Sequence, residues 1–213
     1  MLTTLDAWLQ KALHPIARTL FDDGVRAVHV TLCAGLISLA VGVLVAAFAF
    51  HRWIFALIPI WVVLRVLFLS VETLLATEFG QLSKASICAR EFSRVIAVTA
   101  LFLPFAVIPK VSVLLTLLVV LLAIFSEFAG LLGPLIKASR RRDGPMSSGL
   151  CLLFFAVFGA GIASGHLPTA PINILLAVMA ILLLVTIGKR IRNALKETVR
   201  PVTPAPVKAM AEE

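Results

Sequence analysis

Six apolar runs of membrane-spanning length alternate with short polar connections along this chain. The runs cover about residues 30–50, 53–76, 92–108, 111–136, 149–165 and 171–188. A helix needs about 20 apolar residues to cross a bilayer, and the third and fifth runs are short by this measure. Because the connections are brief, consecutive helices must lie antiparallel, which predicts a compact bundle of six transmembrane helices.

The segment before the first run has a different pattern. Apolar residues recur at helical spacing between about residues 4 and 20, at Leu5, Trp8, Leu9, Leu13, Ile16 and Leu20. Lys11 and Arg18 lie off this stripe. The pattern predicts an amphipathic helix on the membrane surface, bent near Pro15. Residues 22–24, Asp-Asp-Gly, predict a turn into the membrane.

Composition supports an integral membrane protein. Hydrophobic residues make up 61% of the 213 residues and charged residues only 14%, more apolar surface than one soluble core can bury. The net charge of +8 favours cytoplasmic loops of a membrane protein over nucleic-acid binding. The three cysteines lie in apolar stretches without CxxC spacing, which indicates small core residues rather than a metal site or disulfides: Cys33, Cys88 and Cys151.

The distribution of Lys and Arg predicts the orientation. Sixteen of the 19 lie in residues 1–29, 77–94, 137–143 and 189–213, whereas only Arg52 and Lys110 lie on the opposite side. This bias predicts an inner-membrane protein with both termini in the cytoplasm. Three segments follow: 1–29, a cytoplasmic amphipathic helix and turn; 30–188, the six-helix transmembrane domain; and 189–213, a basic helix and Pro-rich cytoplasmic tail.

Besides Arg94 at the start of the third run, three charged residues interrupt the apolar runs. Arg65 lies midway along the second run, Glu72 follows two helical turns later on the same face, and Glu127 lies in the fourth. A lone Arg at such a depth costs about 2.5–3.5 kcal/mol on insertion scales, so it must face the bundle or reach the interface. These residues form a candidate interior polar network, whose role is either a functional site or structural ion pairing between helices. The sequence contains no HExxH, Ser-His-Asp or Gly-rich phosphate-binding motif.

The stretch from Arg65 to Arg94 and its flanks resemble the CDP-alcohol phosphatidyltransferases. These six-span membrane enzymes transfer a phosphate-linked group from a CDP-alcohol to an acceptor alcohol and release CMP. The similar segments are GVRAVHVTL at 24–32, EFGQLSK at 78–84, ALFLPFA at 100–106, SEFAGLLG at 126–133 and RRRDGPM at 140–146. They occur in the family's order over about residues 10–190. The resemblance implies an all-α, six-helix fold of this type with an N-terminal surface helix.

The family signature, D-x2-D-G-x2-A-R-x8-G-x3-D-x3-D, is degenerate here. Without a gap, its fixed positions fall on Leu69, Glu72, Thr73, Ala76, Thr77, Ser86, Arg90 and Arg94. In intact members the four acids bind Mg²⁺ or Mn²⁺, and the last is implied to be the base. Only Glu72 retains an acid, and a guanidinium can neither ligate such a metal nor act as a base at neutral pH. We therefore expect no metal cofactor and no intact catalytic residue.

Two hypotheses follow for these charges. Arg90 and Arg94 pair with Glu72, Glu91 or Glu127, so that protein charges replace the metals. Alternatively, the two Arg hold the anionic head of a lipid or a CDP-alcohol without turning it over.

Three functional interpretations remain open. The first is a non-catalytic family member in phospholipid metabolism, which contacts membrane lipids and forms a homodimer or a heterodimer with an intact relative. The second is an active transferase with a non-standard site. The third is a small transporter-like bundle, although the outer halves of the runs are almost wholly apolar.

Overall fold

The computed structural model describes residues 2–136, 139, 143–165 and 169–199. Within this part of the chain, all regular secondary structure is helical, which confirms the predicted all-α class. Seven α-helices follow one another: α1 Leu2–Asp22, α2 Ala27–Ala47, α3 Leu57–Thr77, α4 Lys84–Phe102, α5 Val113–Leu135, α6 Ser148–Ala163 and α7 Thr169–Val199. Short 3-10 helices at Arg52–Ala56 and Leu103–Val107 precede α3 and follow α4.

Helices α2 to α7 overlap the six predicted apolar runs, but they do not all have the properties of a membrane span. Among the described residues, four stretches are long and apolar enough: Ala27–Ala47, Arg52–Thr77, Val113–Pro134 and Ile172–Glu197. Helix α6 is apolar but shorter, and α4 carries several charged residues. The protein is therefore an all-α membrane protein with at least four candidate spans, and the count of six stays a prediction.

Helix α4 begins earlier than the hydropathy pattern predicts. Ser83 and Ser86 cap each other's backbone: the Ser86 amide donates to Ser83 Oγ at 3.1 Å, and the Ser83 amide donates to Ser86 Oγ at 2.9 Å. This reciprocal cap starts the helix at Lys84, well before residue 92. As a consequence, Ser86, Arg90 and Arg94 stand four residues apart on a single helix, on the same side.

Aromatic side chains fill the core at one end of the bundle. The rings of Phe102 and Phe155 stack with centroids 3.6 Å apart, and Phe55 and Phe105 pack beside them. All four are almost completely buried. Since lipid does not drive helices together as water does, dense packing of this kind is the main source of helix association in a bilayer.

Helix α1 packs against α3 and continues through Pro15. Ala17 is buried against Leu74 and Leu75, and Leu13 and Leu20 pack beside them. The side chains of residues 1–9, which include three of the predicted stripe, lie outside the described part. The predicted turn is present, with Gly24 at φ 76°, and α2 starts three residues later.

The end of the chain differs in part from the predicted division. The basic segment from residue 189 is a direct continuation of the last apolar helix, because α7 runs without a break to Val199. The Pro-rich tail at 200–213 lies outside the described residues, as do 137, 138 and 140–142 of the predicted basic loop.

Candidate functional site

The signature positions lie on two neighbouring helices, at the end of the bundle near α1. Five are on α3 and three are on α4: Leu69, Glu72, Thr73, Ala76 and Thr77, then Ser86, Arg90 and Arg94. Several of these side chains bond to their own helix. The Thr73 hydroxyl donates to the Leu69 carbonyl and the Thr77 hydroxyl to the Thr73 carbonyl, both at 2.8 Å, while Ser86 is part of the α4 cap.

An ion pair joins two signature positions across α3 and α4. Arg90 donates to Glu72 Oε1 from Nε at 3.0 Å and from Nη2 at 2.6 Å. The Glu72 side chain is 1% exposed and that of Arg90 21%. In the part of the chain that the structure describes, the second carboxylate oxygen of Glu72 is buried without a hydrogen-bond partner. Glu72, the only acid among these eight positions, is therefore already paired with the guanidinium of Arg90.

A second set of ion pairs crosses from α4 to α7. Arg94 Nη1 donates to Glu91 Oε2 at 3.0 Å and to Glu127 Oε2 at 3.3 Å. The other oxygen of Glu127 lies 3.4 Å from Nη1 of Arg190, which is also bonded to the carbonyl of Ser126. Acids and bases alternate along this series, so three helices are held by mutually compensated charges.

The sequence predicts that Arg65 belongs to this polar network, but in the structure it does not. Its Nη1 donates to the Ala34 carbonyl at 3.0 Å and to Ser38 Oγ at 2.9 Å. Its Nη2 donates to the carbonyl and the hydroxyl of Ser93, at 2.9 and 3.1 Å. Among the described residues, none of its hydrogen-bond partners is a carboxylate. Arg65 instead binds α3 to α2 and α4 through neutral oxygens, which are abundant on every helix and leave no charge pattern in the sequence.

Sequence reasoning missed Arg190, because it assigned the segment from residue 189 to a basic cytoplasmic helix and did not include it in the polar network. It is 3% exposed, and its Nε donates to the Asp143 carbonyl at 3.1 Å. The buried positions of α7 recur every three or four residues: Ile172, Leu176, Met179, Leu183, Thr186, Arg190 and Ala194. Residues 171–188 are almost uniformly apolar, so this stripe does not stand out in the sequence. Continuing that stripe past residue 188 places Arg190 inside the bundle.

The residues at this site do not fit the divalent metal that the resemblance implies. Such a metal prefers several carboxylate oxygens, and Glu72 supplies the only carboxylate among the signature positions. Its Oε1 already accepts two N–H groups from Arg90. Among the described residues, no three His, Cys, Asp or Glu side chains are grouped in a way that could hold a metal ion. What the arrangement can do chemically is to pair charge and to hold helices together.

Fold and site together define an all-α, multi-pass integral membrane protein with an internal cluster of ion pairs. Over 186 residues the chain is 32% identical to inner membrane protein YnbA of Escherichia coli strain K12, and the match covers 87% of this chain and 92% of that protein. The chain therefore belongs to the family of this inner membrane protein, which confirms the predicted inner-membrane location. No family model matches the chain.

Proposed function

We propose that this protein is a non-catalytic membrane protein of CDP-alcohol phosphatidyltransferase type, linked to phospholipid metabolism, in which ion pairs take the place of the metal ligands. The ion pair between Glu72 and Arg90 carries this proposal. Both residues stand at positions where the family signature has acids. The substitution of one acid by Arg thus supplies the counter-charge that a metal would otherwise provide.

The energetics favour such a replacement over a site that has simply decayed. A carboxylate that is almost fully buried without a partner is costly, and removal of one partner from a buried ion pair costs about 3–5 kcal/mol. Arg94 meets the same requirement for Glu127. The charges therefore keep the bundle folded without metal, while the family's metal-dependent reaction has neither its ligands nor its base.

In this proposal the protein acts as a partner or regulatory subunit. It forms either a homodimer or a heterodimer with a relative that has an intact signature. Both of its termini face the cytoplasm. Co-expression with such a relative tests the partnership. The two proteins should co-purify in mild detergent, and the relative should be more active or more abundant with its partner than alone. If the relative elutes separately and its activity and abundance are unchanged, the heterodimer is excluded and only the homodimer is left of this proposal.

Metal independence is tested by thermal unfolding of the purified protein in detergent. We expect the same melting temperature with EDTA and with Mg²⁺. Arg90→Ala should lower it by several degrees, because Glu72 is then buried alone, and Lys84→Ala on the exposed side of the same helix is the matched control. A melting temperature that falls on addition of EDTA contradicts the proposal.

Loss of activity is tested by release of CMP from CDP-diacylglycerol, with Mg²⁺ or Mn²⁺ and a panel of acceptor alcohols. The purified protein should release no more CMP than an empty-membrane preparation. CMP release that Glu72→Gln abolishes would instead establish an active transferase with a non-standard site.

A further inference from the structure

A cavity of about 470 Å³ opens at the end of the bundle away from the ion pairs of Glu72 with Arg90 and of Glu127 with Arg94. Three segments form it: residues 49–55, residues 107–110 and the end of α6. Phe50 and Val107 contribute exposed apolar walls, while Arg52 and Lys110 bring positive charge to it. The volume is within the range of about 300–1,000 Å³ that is typical of ligand pockets.

The charge at this end of the bundle is uncompensated. The chain has no Asp or Glu in residues 24–71, 92–126 or 144–196, and these intervals include every segment that lines the cavity. Among the described residues, neither Arg52 nor Lys110 has an acidic partner within salt-bridge distance. Two cations beside an apolar cavity with no carboxylate nearby favour an anionic ligand.

The backbone around the two cations is held in place. Lys110 has φ 70°, the one positive φ of a residue other than glycine in the described chain. The Asn173 side chain fixes it: Nδ2 donates to the Lys110 carbonyl at 2.9 Å, and Oδ1 accepts from the Ser112 amide at 2.8 Å. On the other side of the cavity, Arg52 reaches the turn that follows α6, where its Nη1 would lie 3.5 Å from a Cβ added to Gly165. A strained backbone persists only where its surroundings fix it, and such positions often serve binding.

The aromatic residues beside the cavity indicate the level of the lipid head groups. Phe50 and Trp53 are exposed beside Arg52, and exposed aromatic side chains of membrane proteins concentrate at the level of the head groups. We propose that this cavity binds an anionic phospholipid, with its phosphate between Arg52 and Lys110 and its glycerol and first acyl carbons against Phe50 and Val107. The apolar walls favour a lipid over free phosphate. This site is independent of the proposed function.

The test compares lipid binding by the full-length protein in detergent, measured by native mass spectrometry with phosphatidylglycerol and with phosphatidylcholine. Wild type should prefer phosphatidylglycerol. Arg52→Gln/Lys110→Gln should bind it about 30-fold more weakly, from the usual contribution of two cations near a membrane surface. Lys84→Gln/Arg192→Gln, with the same loss of charge at exposed positions elsewhere, should retain the preference.

A second variant separates shape from charge. Ala49→Phe places a ring in the cavity without changing any charge and should also weaken phosphatidylglycerol binding. Equal binding by wild type and Arg52→Gln/Lys110→Gln would overturn the proposal. Displacement of the lipid by millimolar inorganic phosphate would also overturn it, since the site would then bind a free anion.

Discussion

Replacement of Arg65 by Lys tests whether this residue acts through its charge or through its shape. The two terminal nitrogens of Arg65 serve different helices: Nη1 bonds to Ala34 and Ser38 on α2, and Nη2 bonds to Ser93 on α4. An ammonium group keeps the positive charge but has a single nitrogen, so it can reach the oxygens of one helix and not both. Two of the four hydrogen bonds are therefore lost.

The expected cost follows from these bonds. A hydrogen bond from a charged group contributes about 1.5–3 kcal/mol, so the loss of two at the lower figure destabilises the protein by about 3 kcal/mol. Ser93→Ala removes one of the four bonds and leaves the backbone acceptor in place, so at the same figure it should cost about 1.5 kcal/mol. Arg65→Lys should thus exceed Ser93→Ala by a clear margin.

The assay is reversible unfolding in mixed micelles by titration with SDS, which gives the free energy of unfolding directly. The matched control is Arg192→Lys, since Arg192 is exposed on α7 and should be unaffected by the exchange. If Arg65→Lys unfolds within about 0.5 kcal/mol of wild type, the bonding of two helices by one guanidinium does not stabilise the bundle, and the reasoning is wrong.

Two further predictions use the same assay. Gly42→Ala should cost about 1–3 kcal/mol, because its Cβ would overlap the Ala100 carbonyl oxygen and force α2 away from α4. Gly188→Ala, whose Cβ would meet nothing within 4 Å, should be neutral or stabilising. Equal effects of the two would show that the helices can separate freely. Arg190→Met should lower the free energy of unfolding by about 3 kcal/mol, because its buried hydrogen bonds are lost, whereas Arg192→Met should change it very little. Similar values for both would show that the buried hydrogen bonds between α7 and α5 do not stabilise the protein.

The charged cluster could be anticipated only in part from the sequence. Helical spacing places Arg90 and Arg94 on one side of a helix and brings Glu72 near them through the short link between α3 and α4. The spacing does not show which acid meets which Arg, because that choice depends on how α3, α4 and α5 rotate against one another. The roles of these residues in a family with a lost metal site stay a prediction.

Two arginines show why local sequence was insufficient. Arg65 was expected either to face the bundle or to reach the interface, and it is buried in the bundle, where its partners are hydroxyl and carbonyl oxygens that no charge pattern marks. Arg190 was assigned with its basic neighbours to a cytoplasmic helix, yet it lies on the buried side of α7. In both cases the surroundings of the side chain come from helices distant in sequence.

The sequence by itself determined that this is an all-α membrane protein and where the apolar part of each helix lies along the chain. The physical reason is that hydropathy belongs to each segment, and a segment in lipid must satisfy its backbone internally as a helix. Only the tertiary structure decided that Glu72 meets Arg90, that Glu127 lies between Arg94 and Arg190, and that Arg52 and Lys110 share one cavity. Those contacts depend on the packing angles and rotations of the helices, which are properties of the assembled bundle and not of any one segment.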